Sequence, residues 1–453
     1  MKRLFKKTSL SVIVILLTLI GGCEDYNDLN LEPIDSGSAD YSNYVAVGNS
    51  LTAGFQNSAL YRSGQEYSFP RLIARQLRIE DSFDQPLITD PGIGGRIELT
   101  SLNPLGTEVT QRQGVAINQN QKPFKNLGIP GALLVDYLNP NNQGQLKERA
   151  TIPQRPDFNP FYSFILPDGE LARDAPNIHN QVATQNPTFI TFWLGNNDVL
   201  NYITSGGHRP YTPVGTFQSL YQSSIQTLAA TGASVITYNL PNAASTPFVF
   251  LVNATLIEDG TLSVNQQGVI ELAQADAPIW IQRTDPNNPG AIRDTVQMRA
   301  PVPGQFPGDF FLLSAQSQLD DLFSQGVGLS PQNPIPSTLV LDSGELTQAE
   351  TLVAQYNGII EASTNSAGFG LVDINSIFNN VIENFQSNGG GYNADELTLQ
   401  PVPGSLFSFD GVHLGNRGYA VLANETIEVM NETFGSSVDQ IDVSDIPEGL
   451  PAE

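Results

Sequence analysis

Short apolar runs, each too brief for a buried helix, alternate along this chain with stretches of helical periodicity. Tyr44-Val45-Ala46-Val47 stops at Gly48, and residues 69–77 follow with apolar positions at helical spacing behind Pro70. The same alternation returns later: strands are expected over 187–194, 234–240 and 370–374, and helices over 216–230, 347–363, 376–384 and 418–430. Runs rich in Val, Ile, Phe and Trp, without a polar residue at every second position, suit strands buried on both faces. Such strands with helices between them imply an α/β fold of three layers, a mostly parallel sheet covered on both sides.

Three stretches interrupt the alternation, at about 80–122, 139–185 and 246–340, and are loaded with Pro, Gly, Asn and Gln. Structureless loops of that length are rare inside a domain, so they are expected to be insertions with elements of their own, for example at 248–256 and 262–271. One domain over 43–435 is expected to carry them all, followed by an acidic tail at 436–453. Gly389-Gly390-Gly391 is expected to be a loop. The insertions are candidates for substrate walls over the strand ends.

The amino terminus has the order of an export signal: Lys2, Arg3, Lys6 and Lys7, an apolar run too short to span a bilayer permanently, then Gly21-Gly22-Cys23. Cys23 is the only cysteine, and its place behind two small residues resembles a bacterial lipobox, which implies a signal peptide at 1–22 and lipidation of Cys23. Residues 23–42 then form a polar tether. The expected location is the bacterial cell envelope, through a lipid anchor, most simply the outer membrane on either face. A lone, acylated cysteine leaves no disulfide framework and no thiolate metal ligand. With 46 acidic against 21 basic residues, a formal charge of -25, nucleic acid is a poor partner.

Chemistry is concentrated in few places. Asp410 lies three residues before His413, and only His179 and His208 compete with that imidazole; both stand in polar contexts that read as surface. An imidazole with a carboxylate to orient it can activate a hydroxyl nucleophile. Ser50, in Gly48-Asn49-Ser50-Leu51, sits where a strand turns into a helix, at the end of the sheet where α/β folds bind ligands. Three scattered histidines give no zinc ligand set, and no segment matches a calcium loop. Phe310-Phe311-Leu312-Leu313 reads as buried core before it reads as an acyl pocket.

Four blocks in order resemble the GDSL, or SGNH, hydrolases: Gly48 to Leu51, Asn126 to Gly131, Gly195-Asn196-Asn197-Asp198, and Asp410 to His413. The resemblance covers the core and leaves the insertions out. It implies the SGNH-hydrolase, flavodoxin-like variant of the α/β fold, with Ser50 as nucleophile, His413 as base and then acid, and Asp410 as its orienter. The oxyanion hole it implies consists of the Ser50 N–H, the Gly131 N–H and the Asn197 amide. Gly128 competes with Gly131, and Asn196 with Asn197; the spacing of the family blocks favours Gly131 and Asn197. The chain departs from the family pattern at Asn49, where aspartate is usual, and an amide carbonyl can still accept a turn hydrogen bond.

The resemblance therefore implies a serine hydrolase of carboxylic esters, a lipase or esterase without a cofactor or metal, acting on a small-molecule, lipid or glycan ester. A carbohydrate O-acetyl esterase is the alternative within the class. From another class, the fold could serve a lipoprotein that binds glycan or lipid without turnover.

Overall fold

The computed structural model describes residues 34–102, 105–140, 146–155, 157–242, 246–302, 307–388 and 405–448. Cys23, the expected signal peptide and the Gly389–Gly391 run lie outside the described residues, as does most of the unit Met1–Asp35. The second unit, from Ser36 onward, carries the sheet and every element around it.

Five parallel strands form the central sheet: β1 (Tyr44–Gly48), β2 (Asn126–Gly128), β3 (Phe189–Trp193), β4 (Ser234–Tyr238) and β5 (Gly370–Val372). Their order is β5-β4-β3-β1-β2, the flavodoxin-like arrangement, whose direction of winding reverses beside β1. Every residue of β1 and β3 is buried, as expected for strands covered on both faces. Val45, Val47, Ile190, Phe192 and Val235 lie in the main core, where each apolar side chain contributes about 1.5–3 kcal/mol through removal from water.

Helices α1 (Ser50–Ala53), α2 (Phe69–Gln76), α3 (Asn197–Thr204), α4 (Val214–Ala229), α5 (Pro247–Glu258), α6 (Ser343–Ala367), α7 (Ile374–Asn388) and α8 (Asn416–Phe434) surround the sheet or lead into the insertions. The expected helix at 347–363 is one turn longer at its start because Asp342 accepts from the N–H groups of Gly344 and Glu345 while Glu345 reaches back to the Asp342 N–H, a reciprocal cap. Trp193 stacks on Tyr238 at 4.9 Å between centroids, and Phe217 stacks on Tyr356 at 3.9 Å, joining α4 to α6.

The third insertion has a core of its own, with Val252, Ile270, Ile281, Met298, Phe311 and Phe323 buried together. Residues 248–256 lie in α5, and 262–271 fold into two antiparallel strands, Leu262–Val264 and Ile270–Leu272. Phe311 and Leu312 are core residues, as their sequence suggests. At the ends of the domain, Ala39 and Tyr41, within the segment expected to be tether, are buried. Residues beyond Phe434 run back along α8, where Asn424 accepts from the Ile441 N–H at 2.7 Å and Arg417 donates to the Ile446 carbonyl at 3.1 Å. Among the described residues no helix is long and apolar enough to cross a membrane.

Candidate active site

The register of three neighbouring strands sets the site. Gly48 at the end of β1 pairs with Gly128 of β2 on one side and with Trp193 of β3 on the other, so their carboxyl ends lie level. Ser50 follows two residues beyond the first, Gly131 three beyond the second and Asn197 four beyond the third. Three candidate residues far apart in sequence are thereby delivered to one edge of the sheet, at the reversal of winding where such folds hold ligands.

Ser50 opens α1. Asn49 caps that helix with its Oδ1 accepting the Leu51 N–H at 3.0 Å, so asparagine fills the turn-forming role open to aspartate. Gly128 stands where it does because a Cβ there would lie 2.4 Å from the Ala53 backbone nitrogen; β2 and α1 pack at a distance only glycine permits.

His413 reaches this edge from the far end of the chain. Its Nε2 is 2.8 Å from Ser50 Oγ and its Nδ1 is 3.0 Å from Asp410 Oδ2. Asp410 Oδ1 also accepts the N–H groups of Val412 and His413, and Oδ2 accepts the Ser58 N–H at 2.7 Å. Burial alone would raise the Asp410 carboxyl, but the facing imidazole and these hydrogen bonds outweigh it and hold the group well below the usual carboxylate range. A carboxylate can only accept, so the Nδ1 of His413 carries a proton and Nε2 turns its lone pair to the Ser50 hydroxyl. Phe55 covers the imidazole with its ring 4.7 Å away.

The open alternatives differ in their hydrogen bonds. The Gly128 N–H donates to Asn126 Oδ1 at 2.9 Å, whereas among the described residues neither the Gly131 N–H nor the Ser50 N–H is spent on a hydrogen bond. Asn197 donates one amide proton to the Ala132 carbonyl at 2.8 Å, which places its side chain against the Gly131 turn and leaves a second amide proton. Asn196 borders the same cleft, but its Oδ1 is buried without a partner among the described residues.

The neighbouring Asp198 is fully buried and braces this edge. Its Oδ2 accepts the Leu134 N–H at 2.9 Å and its Oδ1 accepts the Thr212 hydroxyl at 2.6 Å. Burial pushes its carboxyl up to about 6.

Several supports were not foreseen from sequence. The turn Gln56–Ala59 holds the loop that contains Asp410: besides Ser58, Asn57 accepts the Phe409 N–H and donates its own N–H to Ser408 Oγ, both at 2.9 Å. Asn57 and Ser58 both have positive φ, which is uncommon outside glycine, and Asn-Ser in a polar run was the only available signal. The second insertion backs the Gly131 turn. Arg149 pairs with the buried Asp136 at 3.0 Å and reaches the Gly131 carbonyl at 3.4 Å, while Asn159 donates to the Pro130 carbonyl at 2.6 Å.

The other two histidines stand on other partners: His179 Nδ1 is 3.2 Å from the Tyr137 hydroxyl and His208 Nε2 is 2.8 Å from Ser337 Oγ. His179 is half-buried, which lowers its pKa. Among the described residues no three or more His, Cys, Asp or Glu side chains cluster as metal ligands would.

A cleft open to solvent runs from Ser50, Asn197 and His413 along apolar walls. Its lining, apolar walls with a few polar groups beside Ser50, suits a small organic ligand.

The sequence model of the GDSL-like lipase/acylhydrolase family matches residues 44–426, and the chain belongs to that family. It is an ester hydrolase. Among solved structures, it is similar to the α/β hydrolase LAE5 from the metagenome of Lake Arreo, with 11% identity, 87% of this chain and 96% of that one covered, and a TM-score of 0.36. An acetyl xylan esterase, AlAXEase, shows 14% identity over 85% of this chain and 98% of its own, with a TM-score of 0.32. The lipase/acylhydrolase of Enterococcus faecalis shows 12% identity over 88% and 98%, with a TM-score of 0.31. No curated protein sequence matches the chain.

Proposed function

We propose that the chain hydrolyses carboxylic esters through an acyl-enzyme on Ser50, with His413 as the proton carrier and Asp410 as its orienter. The observation that carries this reading is the continuous relay from Asp410 Oδ2 through the His413 ring to Ser50 Oγ, with contacts of 3.0 and 2.8 Å. A serine hydroxyl is a poor nucleophile until a base takes its proton as it attacks.

In the first half-reaction Ser50 Oγ bonds to the ester carbonyl carbon while its proton passes to His413 Nε2. The carbonyl oxygen becomes an oxyanion, held by the N–H groups of Ser50 and Gly131 and the second amide proton of Asn197. Collapse breaks the bond to the alcohol oxygen, which takes the proton from Nε2 and leaves. Water then attacks the acyl-Ser50 carbonyl, giving one proton to Nε2. Collapse of the second tetrahedral adduct returns that proton to Ser50 Oγ and releases the carboxylic acid. Asp410 stays ionised throughout and favours the imidazolium formed in each half.

Turnover of p-nitrophenyl esters tests the reading. Ser50→Ala and His413→Ala should each lower kcat by about three orders of magnitude or more, and a fluorophosphonate should label Ser50 in the parent only. Label on another residue, or unchanged turnover in both variants, would sink the assignment.

We also read the protein as an exported lipoprotein of the cell envelope acylated at Cys23. The support is the run of basic, apolar and small residues before that single cysteine. Cys23→Ser or globomycin should move the protein from membrane to soluble fractions, and an unchanged distribution would exclude acylation at Cys23.

A further inference from the structure

Beyond Ser50, Asn196, Val412 and His413, the cleft is bordered by apolar side chains: Val199, Leu200 and Ile203 of α3, Leu240 after β4 and Val353 of α6. Val199, Ile203, Leu240 and Val353 are at most 4% exposed. They are almost closed to bulk water, yet they border empty space continuous with Ser50. An apolar slot of this kind holds water poorly and gains free energy when an aliphatic group fills it.

We infer that this slot binds the acyl chain of the substrate, and that the enzyme selects straight aliphatic acyl groups of medium length over acetyl. The inference rests on Ser50 being the acyl acceptor proposed above.

Two arguments assign the slot to the acyl side. The leaving alcohol takes its proton from His413, so the alcohol must depart on the imidazole side of Ser50. The oxyanion points at Asn197, the first residue of α3, and the remaining substituent of the carbonyl carbon is then free to lie along the face of that helix. Val199, Leu200 and Ile203 fall on one face by their spacing of three and four residues.

Length follows from the same helix. From Asn197 to Ile203 the axis advances six residues, about 9 Å at helical rise. An extended chain advances roughly 1.2 Å per bond, as the three-bond repeat of an extended backbone implies. The slot thus accommodates about seven carbons, and the optimum should fall at hexanoyl to octanoyl.

The test is kcat/KM for p-nitrophenyl esters from acetate to dodecanoate, run beside acetate esters of alcohols of increasing length. The expected profile rises by up to about fourfold for each buried methylene, peaks between hexanoate and octanoate and then falls, with little response to alcohol length. Ile203→Trp and Val353→Trp, made separately, should lower the ratio of octanoate to acetate turnover at least tenfold. Val353→Ala should move the optimum to a longer chain, and serves if a tryptophan variant fails to fold. A parent profile flat or falling from acetate, selectivity that follows the alcohol, or variants that leave the ratio unchanged would each overturn the inference. Ser50→Ala separates the two levels. Loss of turnover at every length with no chain preference in the parent leaves the nucleophile standing and removes only the acyl slot.

Discussion

Phe248 donates its backbone N–H to the Gly411 carbonyl at 3.0 Å. The first turn of α5, which leads the third insertion, is thereby fastened to the loop between Asp410 and His413. An insertion outside the four family blocks thus helps to fix where the imidazole stands.

Gly411→Ala should expose that dependence. Gly411 has φ of +68°, and a Cβ there would lie 2.9 Å from both the Phe248 nitrogen and Leu313 Cδ2. A left-handed alanine costs about 1–2 kcal/mol before any clash. We expect kcat to fall at least tenfold with a smaller change in KM, read by steady-state kinetics beside thermal melting; kinetics equal to the parent would show that the loop tolerates the shift.

Asn197→Ala should lower kcat by about 100- to 1,000-fold with KM little altered, because an oxyanion donor acts in the transition state. Asn196→Ala should cost less than tenfold. The reverse order of the two variants would reassign the donor to Asn196.

Breaking the pair of Asp136 and Arg149 should be costly, since Asp136 is fully buried and also accepts the Leu133 N–H and the Tyr162 hydroxyl. Arg149→Met would leave a buried carboxylate without its cation and destabilise by about 3–5 kcal/mol. Adding Asp136→Asn should restore part of that loss, and strict additivity in chemical denaturation would argue that the two residues act independently.

Asp198 gives stability a pH dependence of definite sign. Its carboxyl is pushed by burial up to about 6, above the value of about 4 in an unfolded chain. Between these values the folded state binds more protons, so its stability falls as pH rises through that window. The total effect is about 3 kcal/mol at most. Glu345 is raised as well, by burial and by Asp342, and acts in the same direction. Asp410, held low, contributes stability above the ordinary carboxylate range that is lost only as pH falls into strong acid. Asp198→Asn keeps an acceptor for the Leu134 N–H and should flatten thermal stability measured between pH 4.5 and 7. A variant as pH-dependent as the parent would place the proton uptake elsewhere.

The parts of the fold legible in sequence are those where burial acts locally. Tyr44 to Val47 and Phe189 to Trp193 are wholly buried, and their apolar character states as much. β2 could not be read as a strand: of Asn126, Leu127 and Gly128 only Leu127 is apolar. It is held by its pairing with β1 and by Asn126, which donates to the Thr52 carbonyl at 2.9 Å and accepts the Gly128 N–H within the strand itself. The helical face of Val199 and Ile203 was hidden behind a Gly-Asn-Asn-Asp run that also suits a loop.

At the candidate site, the short motifs carried the residues that meet there, because strand ends impose fixed offsets on the residues that follow them. Ser58, Arg149 and Asn159 carried no such mark. Their contacts with Asp410, Gly131 and Pro130 lie 352, 18 and 29 positions apart in sequence, and residue type alone gives no sign of which partner a polar side chain will meet.

Ser50 and His413 meet across 363 positions of sequence. A chain emerging from synthesis has its serine in place long before its imidazole exists, and no fragment ending before residue 413 can assemble the pair. Competence for the proposed chemistry therefore arrives in a single late step, which ties the onset of hydrolysis to completion of the whole domain.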